Sequence, residues 1–116
     1  MLDKYTKLSL FYDFYGKLLT KRQQEVMSLY HEENFSLSEI AKEFGISRQG
    51  VHDAVKNAED ALAAYEDKLG LVQKFAQTDK AIREIDDRID GLIAQSDTTM
   101  KAKLEEIKTI IDGLNF

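Results

Sequence analysis

Residues Ser36 to Glu59 read "SLSEIAKEFGISRQGVHDAVKNAE", and the fold follows from how this stretch is parsed. Ser36-Leu37-Ser38-Glu39 has the form of a capping box, in which the serine hydroxyl accepts from the N–H three residues on and the glutamate reaches back. It opens a helix through "LSEIAKEF". Gly45 falls where that helix must stop, and glycine accepts the left-handed conformation common at helix C-termini. Ser47 can then cap a second helix. Ile40 and Phe44 supply inward apolar groups before the corner, and Ala41 is small where two helices cross. Ile46 is expected to plug the corner, while Val51 and Ala54 anchor the second helix. These positions spell a helix-turn-helix whose second helix displays its amino end outward.

Towards the N-terminus, Tyr5, Leu8, Phe11, Tyr12, Tyr15, Leu18 and Leu19 recur at spacings of three and four. That rhythm predicts a first helix over roughly residues 4–18 with an aromatic stripe turned into a core. Thr20-Lys21-Arg22-Gln23 repeats the capping-box pattern. It opens a helix with Val26, Met27, Leu29 and Tyr30 inward, closed by the polar run "HEENF". Towards the C-terminus, Val51, Val55, Ala58, Leu62, Tyr65, Leu69 and Val72 alternate spacings of four and three, a seam that needs a partner helix. The rhythm fails at Asp79, and Phe75, Ile82, Ile85, Ile89 and Leu92 begin a new series. A helix break is expected near Ala76–Asp79, with Gly70 as the competing position. "QSDTT" (Gln95 to Thr99) marks a loop, and Met100, Leu104, Ile107, Ile111 and Leu114 form the stripe of a last helix. Two amphipathic helices joined by so short a loop predict an antiparallel hairpin.

Composition agrees with an all-α protein. The 116 residues contain no proline, six glycines and no run rich in Val, Ile and Thr. No cysteine is present, so disulfides and thiolate nucleophiles are ruled out. No signal peptide is evident, and no apolar run approaches the roughly 18 residues needed to cross a bilayer. The expectation is a cytoplasmic protein without membrane insertion. We divide it into a helix-turn-helix domain at 1–69 and a helical extension at 70–116, the latter a candidate dimerisation or partner-binding hairpin.

The charge pattern sets a tension. The chain carries net −5 with a pI near 5.0, its acidity is spread over both halves, and acidic surfaces repel nucleic acid. At about 100° per residue the second helix of the motif nevertheless turns Gln49, His52, Asp53 and Lys56 outward, with Arg48 at the edge of that face. Arg48 and Gln49 can each make bidentate contacts to a base. Ser47, Arg48, Gln49, His52 and Lys56 are therefore the candidate contacts, with Lys42 and Arg22, and also Lys17 and Lys21, available for phosphates. Asp53, Asp60, Glu39 and Glu43 oppose them, so only a few phosphates would be engaged and the salt dependence would be shallow. Gly50 is either tolerated in the first turn or permits a close approach to a ligand.

Catalysis finds little to work with. His31 and His52 lie on separate helices with no HExxH spacing, and no GxxxxGK[ST] loop can cradle a phosphate. Glu84, Asp86, Asp87 and Asp90 in "EIDDRIDG" lack the glycine a calcium loop needs, and Ile85 and Ile89 continue a helical stripe through them. They read as a solvated helix face. No enzyme, metal or cofactor is expected.

"LFYDFYGKLLT" followed by "LTKRQQEVMSLYHEENFSLSEIAKEFGISRQGVHDAVKNAEDAL" resembles the YlxM family, small bacterial helix-turn-helix proteins similar to region four of sigma factors. The resemblance is close over residues 8–69 and looser over the C-terminal hairpin. It implies a cytoplasmic regulatory or accessory protein linked to the signal recognition particle. The chain departs from the family pattern at Gly50, His52 and Asn57, the last removing a basic side chain from the reading helix. Two readings stand. In one, the helix-turn-helix binds DNA or the particle's RNA, as a homodimer joined through the seam after Val51. In the other, the chain is an adaptor that meets the particle's GTPase, a partner suited to an acidic surface.

Overall fold

The computed structural model describes residues 3–114 and is all-α. Helix α1 spans Lys4–Tyr15 and passes into a 3-10 turn over Gly16–Leu18; α2 spans Lys21–Met27 and widens into a π turn over Ser28–Glu32. Then follow α3 (Leu37–Phe44), α4 (Arg48–Leu69), α5 (Leu71–Ala94) and α6 (Thr98–Asp112).

The local signals act as written. Thr20 and Ser36 each form a complete capping box with Gln23 and Glu39. The Ser36 N–H and hydroxyl hold the Glu39 carboxyl below its usual pKa. Because that pKa is depressed in the folded state, the cap is complete at neutral pH and is lost as pH falls through the folded value. Gly45 ends α3 at φ +66°, and its N–H returns to the Ala41 carbonyl. A side chain there meets no atom within 4 Å, so a substitution is penalised by backbone conformation alone. Gly45→Ala should cost about 1–2 kcal/mol, read as a lower urea midpoint at unchanged slope.

The helices divide into two compact units, one up to Val72 and one from Gln73 onward. In the first, α4 packs against α1, α2 and α3. Tyr15, Val26, Met27, Ile40, Val51, Ala58 and Leu62 are almost wholly buried. The apolar seam of α4 is thus consumed inside its own chain from Val51 to Leu62, and this segment is not an open dimer contact. Four positions of this unit expected inward are not: Tyr5, Leu18, Ile46 and Leu69 are 57%, 53%, 41% and 54% exposed. Tyr5 lies in the first turn of α1, Leu18 in the 3-10 turn that follows it, and Ile46 in the corner between α3 and α4.

The helix break lies at Gly70, not at Ala76–Asp79. Gly70 adopts φ +61°, and the first N–H groups of α5 are received at once. The Tyr15 hydroxyl accepts from Leu71 N–H at 3.0 Å, and Glu66 Oε1 accepts from Val72 N–H at 3.0 Å. Helix α5 runs unbroken through Asp79, which pairs with Arg83 at 3.0 Å. The stripe changes register because residues up to Val72 serve the first core and later ones serve the second unit.

In that second unit Asp97 caps α6, and Ile89 is the one side chain below a tenth exposed among its described residues. Lys108 of α6 lies 3.3 Å from Asp86 and 3.1 Å from Asp90, which raises the Lys108 pKa. The acids of "EIDDRIDG" therefore serve partly as the counter-charge that joins α5 to α6. No helix among the described residues is long and apolar enough to cross a membrane.

Candidate nucleic-acid interface

Helix α4 begins at the corner, and Ser47 sets its start: the Ser47 Oγ accepts from the Gly50 N–H at 2.9 Å. A β-carbon on residue 50 would stand 3.1 Å from that oxygen, so glycine leaves the cap uncrowded. The capping role also engages the Ser47 hydroxyl, one of the candidate contacts.

Beyond the cap, Arg48, His52 and Lys56 lie at i, i+4 and i+8, which places them in one row along α4. All three are exposed, while Val51 and Val55 between them point into the core. Gln49 flanks the row, and its Nε2 donates to Asp53 Oδ1 at 3.0 Å. His52 Nδ1 lies 3.6 Å from the same oxygen. Asp53 thus occupies two of the five candidate groups on this face and weakens its positive character. Lys42 is exposed on α3. Arg22 lies across the Phe44 ring at 4.4 Å, where cation–π attraction holds the guanidinium against the helix-turn-helix.

One constellation has no counterpart in any sequence motif. The π turn over Ser28–Glu32, closed by Glu33 N–H to Ser28 O and followed by Asn34 at φ 56°, turns His31 inward instead of leaving it in a polar closing run. Its side chain is 7% exposed and lies 3.4 Å from Glu59 of α4. π turns are uncommon and recur at functional sites. His31 and Glu59 stand 28 positions apart with no spacing motif, so no local pattern points to them.

A left-handed glycine corner, a capped second helix and an outward basic row define the class: a helix-turn-helix protein. Comparison with known sequences supplies the family. Residues 2–107 match the UPF0122 family, described as "Putative helix-turn-helix protein, YlxM / p13 like", and the chain belongs to it. A UPF0122 protein of Halalkalibacterium halodurans is 39% identical over 115 residues, covering 99% of this chain and 97% of its own length. Another from Desulforamulus reducens is 47% identical over 90 residues, 78% of this chain and 77% of its own. A third, from Caldanaerobacter subterraneus subsp. tengcongensis, is 49% identical over 85 residues, covering 73% of each chain.

Proposed function

We propose that the chain is a cytoplasmic helix-turn-helix regulator that contacts nucleic acid through the outward face of α4 and takes part in the signal recognition particle pathway. The observation that carries the first half is the exposed row of Arg48, His52 and Lys56 rising from the capped corner. The pathway rests on family resemblance. Arg48 and Gln49 would address base edges, Lys56, Lys42 and Arg22 phosphates, and His52 a flanking contact. A homodimer joined through exposed Ile85, Leu92, Ile107 and Ile110 would offer two rows to paired half-sites.

The test is Arg48→Ala with Lys56→Ala, titrated against DNA and the particle's RNA at two salt concentrations. Removing both cations should weaken binding at low salt and flatten the salt slope by about 0.9 for each phosphate no longer engaged. Unchanged retention and slope would show that this face is not the reader.

The second reading is an adaptor for the particle's GTPase. Its support is the net charge of −5 together with Asp53, which already engages Gln49 and His52. Under this reading the GTPase is retained by the double variant and released on removal of residues 77–116.

A further inference from the structure

We propose that a cleft between α1, the π turn and α4 binds an alkylguanidinium or alkylammonium group, with Glu59 as its counter-ion. Lys4, Tyr5, Tyr30, His31, Phe35 and Glu59 line a cavity of about 530 Å³, within the range of small-ligand sites. Lys4, Tyr30 and Glu59 also line an adjoining depression with His52 and Lys56 of the basic row on α4.

Three features point to a cation. The His31 ring nitrogens are buried, yet neither makes a hydrogen bond among the described residues. Glu59 Oε2 approaches Nε2 to 3.4 Å without the alignment a hydrogen bond requires. A buried imidazole left in this state is uncommon and costly, and it sits against the Glu59 carboxylate, the partly exposed group that a donor entering the cleft would meet. The aromatic walls supply the second feature. Tyr5 stands 5.7 Å from His31 between ring centroids, and Tyr30 meets it edge-on at 5.0 Å. Electron-rich faces beside a carboxylate are the recurring recognition chemistry of ammonium and guanidinium groups. Third, the Glu59 side chain is only 23% exposed, so water screens its charge less than at an open surface.

Lys4 lies on the same cavity and is exposed. Its charge opposes an incoming cation and would favour an anion, which gives the proposal a sign that can be tested. The probe is ethylguanidinium chloride, followed through the His31 ring nitrogens and the Asn34 amide by NMR. A saturable shift is expected. Glu59→Gln should weaken it about tenfold or more, a loss of about 1.4 kcal/mol or more, and Tyr5→Leu should weaken it several-fold. Lys4→Ala should tighten it, and Glu84→Gln, on an exposed face elsewhere, should leave it unchanged. Tyr5 is largely exposed, so its variant keeps the test alive if Glu59→Gln fails to fold. Spermidine and a Gly-Arg-Gly peptide, run in parallel, separate a small-molecule source from a protein side chain by which binds more tightly. No saturable shift, equal shifts in the wild type and Glu59→Gln, weakening by Lys4→Ala, or saturable binding of acetate in place of ethylguanidinium would each overturn the site.

Discussion

Ile40→Ala is expected to destabilise the first unit by about 2–5 kcal/mol. Ile40 is fully buried on α3 and belongs to the cluster that holds Val26, Met27 and Val51. Removing its outer carbons leaves a void that the crossing of α3 on α4 cannot close without moving the corner. A domain of this size has roughly 5–15 kcal/mol in total, so the loss is a large fraction of the whole. Urea denaturation followed by circular dichroism reads it directly. Leu69→Ala is the comparison: Leu69 is 54% exposed, and a surface change of this kind stays within about 0.5 kcal/mol. Similar losses for the two variants would mean that α3 is not seated on α4 as described.

Tyr15→Phe comes next in size, at about 1–3 kcal/mol. The Tyr15 hydroxyl donates to Glu66 Oε1 at 2.5 Å and accepts from Leu71 N–H at 3.0 Å, while its ring is 1% exposed. Phenylalanine keeps the ring in place and leaves the Leu71 N–H without its acceptor. Amide exchange at Leu71 should therefore accelerate, while exchange in α3 follows only the global loss. A second readout is alkaline pH. Burial, and then the hydrogen bond to Glu66, raise the Tyr15 pKa above the ordinary phenol value. The contribution is complete below the unfolded pKa and disappears as pH rises through the folded one. The variant should thus lose stability less steeply than wild type on the alkaline side.

Legibility in the sequence follows the range of the interactions. The caps at Thr20, Ser36 and Ser47 and the corner at Gly45 are readable because each partner lies within a few residues. The outward row of Arg48, His52 and Lys56 follows from helical pitch alone. Gly70 cannot be chosen over Ala76–Asp79 from the chain alone, because what fixes it is Tyr15, more than fifty positions earlier. Tyr5, Leu18 and Ile46 read as inward for a related reason. A stripe reveals which face of a helix is apolar, but not whether a neighbour reaches that point along it. His31 looks like part of a polar helix end, and only a turn wider than the α-helix carries it inside.

That wide turn constrains the length of the segment around it. A π turn holds one residue more than an ordinary helical turn, and one residue amounts to about 100° of rotation. Val26 and Met27 ahead of it and His31 within it keep their inward bearings only at the present count. A chain one residue shorter there would swing either the core pair or the imidazole round towards solvent. Insertions and deletions over Ser28–Glu32 therefore alter direction as well as length.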